Sequence, residues 1–197
     1  MFLSLPATVA LFVGSEEIIS ALFGYGSFSE EAVKNSAEAL YYFGLGLPAF
    51  ALIKVFSTFF FANNNTKIPF YISLISVTLN ILISLYYFKS IGFIILPIAT
   101  SISSWFNCIL LFVFLKNENL FQFNRIFLQR FLKIILISII MGIFFNYLTL
   151  IFENQLLYDF NFKSFYLILS VLFSLIFYLL GSFFINAFNY KDLHLKY

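Results

Sequence analysis

Apolar residues along this chain fall into six long stretches separated by short polar segments. A helix that crosses a bilayer core of about 30 Å needs about 20 apolar residues. Every stretch reaches that length, and six in series leave little chain for a water-facing exterior. The pattern predicts an all-α, polytopic integral membrane protein in which residues 1–197 form a single membrane domain. The predicted transmembrane helices cover residues 3–23, 37–61, 68–88, 92–115, 127–152 and 165–188.

Composition supports a membrane protein and narrows its partners. Hydrophobic residues make up 62% of the chain and charged residues 10%, against about 25% charged residues in soluble domains. The 31 phenylalanines come with many Ile, Asn, Lys and Tyr residues, a mixture typical of AT-rich coding sequence, and we attach no function to them. A net charge of +2 gives no basis for nucleic-acid binding. Membrane lipid is therefore the expected surrounding.

The distribution of basic residues predicts the topology, because cytoplasmic loops are enriched in Lys and Arg. Seven basic residues fall on one predicted side of the membrane. The other side, which holds the 24–36 and 153–164 loops, has three basic residues and most of the acidic ones. We therefore expect a multi-pass protein of the bacterial inner membrane with a cytoplasmic C-terminus. The predicted cytoplasmic residues are Lys67, Lys116, Arg125, Arg130, Lys133, Lys191 and Lys196.

Three local features mark the connections. Ser36 is a candidate cap for the second helix, and Pro69 falls in the first turn of the third, where a missing N–H is tolerated. The connection 116–133 alternates basic and aromatic residues, which favours a short amphipathic helix in the inner interface. That helix could serve as a plain anchor or could bind lipid headgroups.

Small and polar residues form one stripe on each of the last four predicted helices. Such stripes mark either packing seams or a water-filled path within lipid. Asn80 and Asn107 are the best candidates to reach a cavity, because a buried amide is costly unless it is paired. The stripes comprise Ser73, Ser76, Asn80 and Ser84; Thr100, Ser104 and Asn107; Ser138, Gly142, Asn146 and Thr149; and Ser170, Ser174, Tyr178 and Gly181.

Lys54 lies inside the second predicted helix, with Ser57 and Thr58 on the same face. An intramembrane lysine indicates a substrate pathway, although snorkelling to the cytoplasmic interface is the alternative. Glu16 and Glu17 point about 100° apart on a helix. They are therefore unsuited to act as a pair. We expect one of them to face the outer interface or a cavity and the other to lie at the interface, and Glu17 is the candidate for the substrate pathway.

The sequence offers no catalytic constellation. The single histidine, His194, lies in the C-terminal tail, and Cys108 is the only cysteine. Neither a His-centred triad nor a metal site can be built within the membrane, and no glycine-rich phosphate loop is present. We expect no enzyme activity, no cofactor and no metal.

Four short motifs follow one another along the chain in a distinctive order and spacing. Leu5–Ala7 with Leu22–Phe28 is similar to an LPA…LFxxGxF element, and Tyr42–Ala49 followed by Lys54 and Val55 resembles YxLGLPA. Phe60–Pro69 resembles the FYAxxDTKTP turn, which includes Thr66, Lys67 and Pro69. The fourth motif, GLxxATSxxxWxN, is matched by Leu96, Ala99, Thr100, Ser101, Trp105 and Asn107. In their order and spacing the four motifs resemble those of the MurJ-type (MviN) lipid II flippases.

The resemblance has departures as well as implications. Asn65 replaces the aspartate of the turn, Phe61 its tyrosine and Ile68 its threonine, while Ile95 and Pro97 are unusual in the fourth motif. The family has fourteen helices in a multidrug/oligosaccharidyl-lipid/polysaccharide exporter-like fold, and this chain resembles the last six. The resemblance implies that lipid II, or a similar polyprenyl-diphosphate saccharide, is the ligand. The N-terminal helices of the same protein are then the missing partner.

In the family, the last two helices form a hydrophobic groove for the polyprenyl tail. By position, these two helices correspond to the fifth and sixth predicted helices of this chain. The resemblance implies that Lys54, Ser57, Thr58, Asn80, Asn107 and Glu17 line part of the headgroup pathway. Two alternatives remain: a flippase for another polyprenyl-linked saccharide, and a non-transporting membrane scaffold. Because alternating access needs two lobes, we expect no flipping by this chain alone.

Overall fold

In the computed structural model, which describes residues 1–118 and 125–187, the chain is helical almost throughout. Six helices are long, and one short helix, α6, follows α5. A single 3₁₀ turn, Gly92–Ile94, separates α3 from α4. The elements are α1 (Ser4–Phe23), α2 (Glu30–Ala62), α3 (Lys67–Ile91), α4 (Ile95–Asn117), α5 (Arg125–Ile151), α6 (Glu153–Leu156) and α7 (Lys163–Phe184).

The prediction of six membrane-length helices is confirmed. Four of the long helices are individually long and apolar enough to span a membrane. The fifth apolar stretch, Lys67–Asn117, is 51 residues long, far more than one span requires. It consists of α3 and α4, and the chain reverses between them at Gly92, whose φ of 77° favours glycine. Each of the two helices is then one membrane crossing.

The second helix begins earlier than the sequence indicates. α2 starts at Glu30 rather than near residue 37, and Ser29 Oγ accepts a hydrogen bond from the backbone N–H of Ala32 at 3.2 Å. Ser29 therefore supplies the cap. The prediction that Ser36 caps this helix is wrong, because Ser36 lies inside α2. The polar first turns Glu30–Ser36 extend the helix beyond its apolar part.

The connection between α4 and α5 also differs from the prediction. Residues 119–124 of this connection lie outside the described residues. From Arg125 onward the chain is part of α5, which continues without interruption to Ile151. The predicted separate amphipathic helix is therefore not seen over residues 125–133. At the other end, α7 stops at Phe184, and the predicted tail residues Lys191, His194 and Lys196 fall outside the described residues.

The chain divides into two compact units. Unit 1 combines residues Met1–Ala37 with the described residues from Arg125 onward, so it contains α1, the first turns of α2, and α5 to α7. Unit 2 begins at Glu38 and contains the rest of α2 together with α3 and α4. The single membrane domain remains a prediction.

In unit 1, glycines allow α1, α5 and α7 to approach closely. A Cβ on Gly142 of α5 would lie 2.2 Å from Val9 Cγ1 of α1, and a Cβ on Gly181 of α7 would lie 2.4 Å from Ile137 Cδ1 of α5. In lipid the hydrophobic effect does not drive helices together, and small residues at such seams let the helices pack closely by van der Waals contact. The stripes on α5 and α7 therefore include packing positions.

In unit 2, apolar side chains of α2, α3 and α4 form one buried cluster. Phe60 of α2 and Leu115 of α4 are fully buried within it. Ile72 of α3 and Cys108 of α4 complete the contact between the three helices. By contrast, α3 exposes large apolar residues such as Leu85 and Tyr86. Such a surface suits lipid or a protein partner rather than water.

Candidate functional site

Asn80 joins α3 to α4 through its side-chain amide. Its Nδ2 donates to Thr100 Oγ1 at 3.1 Å and to Ser103 Oγ at 3.2 Å. Both hydroxyls in turn donate to backbone carbonyls of α4. The amide is half-buried and paired, which removes the cost of placing it in an apolar environment. The polar stripes of these two helices therefore meet along their shared seam.

A second polar seam joins α4 to α2 at the glycine-rich part of α2. Ser101 Oγ donates to the Tyr42 carbonyl at 2.5 Å, and Trp105 Nε1 donates to the Leu45 carbonyl at 2.9 Å. A Cβ on Gly46 would lie 2.9 Å from Ser101 Oγ, so glycine permits this close approach. Sequence reasoning recognised Ser101 and Trp105 only as motif positions, although their side chains fix α4 against α2.

The remaining pathway candidates of unit 2 occupy different environments. Lys54 and Thr58 are exposed and Ser57 is half-buried, and Thr58 Oγ1 donates to the Val55 carbonyl at 2.6 Å. Asn107 is buried, and its Oδ1 has no hydrogen-bond partner within residues 1–118 and 125–187. Lys54 is thus accessible to a ligand, whereas Asn107 holds an unsatisfied acceptor inside the helix packing.

The turn between α2 and α3 is built by asparagines. Asn64 adopts a left-handed φ of 56°, a conformation that asparagine tolerates well. Asn65 Oδ1 accepts a hydrogen bond from the Ile68 N–H at 3.4 Å, so the amide oxygen can serve where the family motif has a carboxylate. Thr66 and Lys67 are exposed or nearly so at the turn, and Pro69 lies in the first turn of α3, as predicted.

An apolar cavity of about 340 Å³ lies between α1, α5 and α7 in unit 1. The hydroxyls of its two polar residues both donate hydrogen bonds to backbone carbonyls. Ser174 Oγ donates to the Ser170 carbonyl at 2.7 Å, and Tyr178 OH donates to the Phe2 carbonyl at 2.6 Å. The lining thus offers an apolar surface. The other lining residues are Leu3, Pro6, Ala7, Ala10, Leu11, Ile18, Met141, Phe145, Val171 and Leu175.

Glu17 lines a second cavity of unit 1, with a volume of about 530 Å³. It is half-buried, Glu16 beside it is exposed, and both line this cavity. Both carboxylates therefore face one space, although adjacent side chains on a helix point about 100° apart. Glu30, Glu153 and Asp159 also line it, so we call it the acidic cavity.

Lys163 at the start of α7 is a structural residue that the sequence did not reveal. It is fully buried, and its Nζ donates to the carbonyls of Gly24 at 2.5 Å and Tyr158 at 2.6 Å. The ammonium also lies 4.4 Å from the ring centroid of Tyr25 and 4.6 Å from that of Tyr158. It therefore ties the α1–α2 turn to the segment before α7. Charge counting treated it as an ordinary loop lysine.

Comparisons with known proteins identify the family. The family model described as "Lipid II flippase MurJ" matches residues 1–167. A "Probable lipid II flippase MurJ" of Rhizobium meliloti is 42% identical over 112 residues, covering 57% of this chain and 21% of that protein. The protein of the same description from Thermotoga maritima is 35% identical over 142 residues, covering 72% of this chain and 28% of its own length.

A solved structure described as "Lipid II flippase MurJ, inward closed conformation" has the same fold. The TM-score is 0.76 at 28% sequence identity, and the match covers 98% of this chain and 37% of that one. The segments matched in the two relatives thus span only 21% and 28% of their own lengths. The family is one of transporters, and the membrane-length helices agree with it. The chain belongs to the family of MurJ lipid II flippases.

Proposed function

We propose that this chain supplies part of the C-terminal lobe of a lipid II flippase, which translocates the lipid-linked peptidoglycan precursor across the bacterial inner membrane. The observation that supports this most strongly is the agreement with a flippase structure over 98% of the chain. The C-terminus faces the cytoplasm in this proposal, because the basic residues are concentrated on that side.

The polyprenyl tail of the substrate lies in the apolar cavity between α1, α5 and α7. A long hydrocarbon tail needs a surface without unpaired polar groups, and the hydroxyls of Ser174 and Tyr178 are engaged by backbone carbonyls. Met141 and Phe145 contribute apolar walls from α5. The sequence predicts a groove for this tail on the last two membrane helices, α5 and α7. In this proposal α1 also contributes to the groove.

The polar headgroup follows a path that includes Lys54, Ser57, Thr58, Asn80, Asn107 and Glu17. An exposed ammonium such as that of Lys54 is suited to attract a diphosphate, since phosphate is bound by charge-assisted hydrogen bonds. Asn107 adds a buried acceptor with no partner in the described part of the chain. Thr66, Lys67 and Pro69 form the cytoplasmic turn at which α2 passes into α3.

Alternating access requires two lobes that rock about a central site. The relatives are more than twice as long as this chain, and we propose that their additional helices complete the transporter as the partner of this lobe. The chain by itself is then expected not to flip lipid.

A chimera tests this function. The matching C-terminal region of the Thermotoga maritima relative is replaced by this chain, and the chimera is expressed in cells depleted of their own flippase. We expect growth to be restored by the chimera and not by the 197-residue chain alone. An abundant, membrane-inserted chimera that fails to restore growth would count against the proposed function, as would rescue by the isolated chain.

Variants of the chimera test the pathway. Lys54→Ala should abolish rescue at unchanged membrane abundance, because the exposed ammonium is lost. The matched control is Lys89→Ala, which removes another exposed lysine near the end of α3. Full activity of Lys54→Ala would remove Lys54 from the pathway without touching the assignment of the chain to the lobe.

A further inference from the structure

The acidic cavity combines five carboxylate side chains from separate segments of unit 1. They come from α1, from the start of α2 and from the region of α6: Glu16, Glu17, Glu30, Glu153 and Asp159. Only Glu30 has an ion-pair partner among the described residues, Lys34, whose Nζ lies 2.9 Å from Glu30 Oε1. The other four carboxylates form no ion pair among the described residues, so the cavity carries an excess of negative charge, which attracts cations.

A buried hydroxyl points to a ligand in the same cavity. Ser20 lines it and is only 6% exposed, yet its Oγ has no hydrogen-bond partner within the described ranges of the chain. A serine inside a helix normally bonds a carbonyl of the preceding turn, as Thr149 does across the cavity through the Asn146 carbonyl at 2.9 Å. An unpaired buried hydroxyl is costly, and a bound polar ligand would satisfy it.

The arrangement favours an organic cation over a directly coordinated metal ion. Among the residues that the structure describes, no three acidic, His or Cys side chains are close enough together to hold a metal. The space of about 530 Å³ is also far larger than the shell of ligands around one ion. A primary ammonium, in contrast, has three N–H donors that can reach separated acceptors.

An apolar groove adjoins the acidic cavity and shares Asn146 with it. This α1–α5 groove has a volume of about 540 Å³ and is a different space from the cavity assigned to the polyprenyl tail. A ligand occupying both parts must be an amphiphile with a cationic head. The lining residues of the groove are Val9, Phe12, Val13, Ile139, Gly142, Ile143 and Asn146.

We propose that unit 1 binds an aminophospholipid, with its primary ammonium in the acidic cavity and an acyl chain in the α1–α5 groove. In this proposal the lipid phosphate meets Lys34, whose Nζ is paired with Glu30, so both charges of a zwitterionic headgroup find an opposite charge. The site lies at the end of the unit where α1 ends and α2 begins. The site shares Glu17 with the proposed headgroup pathway, but binding of an aminophospholipid to it does not require that the chain flips lipid II.

Lipid binding to the purified 197-residue chain tests the proposal. Native mass spectrometry in detergent compares phosphatidylethanolamine with N-acetylated phosphatidylethanolamine of the same acyl chains, which lacks the ammonium. We expect phosphatidylethanolamine to bind about tenfold more tightly, equivalent to about 1.4 kcal/mol. The double variant Glu17→Gln/Glu153→Gln should lose this preference while keeping its thermal stability.

The matched control is Glu31→Gln/Glu38→Gln, which neutralises two exposed carboxylates that do not line the cavity. It should keep the preference. Equal binding of the two lipids by the unmodified chain would overturn the proposal, and so would a preference that survives Glu17→Gln/Glu153→Gln. Stabilisation by Ca²⁺ or Mg²⁺, lost in that variant and unaccompanied by a lipid preference, would make this a metal site and also overturn it.

The groove half of the site has its own test. Ile139→Ala/Ile143→Ala removes apolar wall on α5 where both side chains are exposed. We expect this variant to bind both lipids more weakly, by the same factor, and to keep the preference for the lipid that carries the ammonium. Undiminished binding of both lipids would overturn the placement of the acyl chain in the α1–α5 groove.

Discussion

Close contact between α1 and α5 makes a quantitative prediction for Gly142→Ala. The added Cβ would lie 2.2 Å from Val9 Cγ1, well inside van der Waals contact, and valine is stiff about χ1. Overpacking of this kind costs about 1–3 kcal/mol. The change from Gly to Ala returns up to about 1 kcal/mol of helix propensity. We therefore expect a net destabilisation of about 1–2 kcal/mol.

Val9→Ala should rescue this variant, because it deletes the clashing methyl group. The nearest remaining contact of the new Cβ would be Val9 Cβ at 3.7 Å, an ordinary packing distance. In the double variant the clash is absent, while the helix still gains stability because alanine has a higher helix propensity than glycine. We expect the double variant to be more stable than the sum of the two single changes by about 1–2 kcal/mol.

Thermal unfolding of the four proteins in detergent, followed by size-exclusion chromatography of the remaining monodisperse fraction, measures this cycle. For soluble domains of this size about 1 kcal/mol shifts the Tm by about 2–4 °C, which the assay resolves. Two results would refute the reasoning. One is a Gly142→Ala protein as stable as the parent, and the other is a double variant showing purely additive effects.

Three further substitutions test individual contacts by the same Tm measurement. Asn80→Val removes two interhelical hydrogen bonds and should cost about 1 kcal/mol; an unchanged Tm would contradict the pairing. Lys163→Met leaves two buried carbonyls without their donor and should cost about 2–4 kcal/mol, whereas the exposed control Lys89→Met should have no effect. Trp105→Phe removes the bond to the Leu45 carbonyl and should cost about 1 kcal/mol, so equal stability would show that this bond adds nothing.

The polar stripes illustrate how far sequence reasoning reaches. Their spacing correctly marked Ser76, Ser138 and Ser174 as positions on the polar faces of their helices, and all three are buried. Ser73, on the predicted stripe of the third helix, is nevertheless exposed. Periodicity fixes which residues share a face, because a helix has a regular pitch. It leaves open where along that face the neighbouring helix makes contact.

The candidate pathway shows the same limit. The sequence predicts that Asn80 and Asn107 reach a cavity, because a buried amide is costly unless it is paired. The Asn80 amide is paired with Thr100 and Ser103 of the neighbouring helix. Asn107 was selected on the same argument, and its Oδ1 remains unpaired within the described residues. The sequence contained no signal that separates the two amides, since the partner of a side chain depends on the register between two helices.

The sequence by itself determined the membrane class, the six spans and the family. Hydropathy is a sum over neighbouring residues, so a span is recognisable without knowledge of its contacts. Tertiary structure alone decided that Glu16 and Glu17 line one cavity and that Lys163 is buried against carbonyls and aromatic rings. These outcomes depend on groups distant along the chain, because a buried charge is stable only where folding brings compensating polar groups to it.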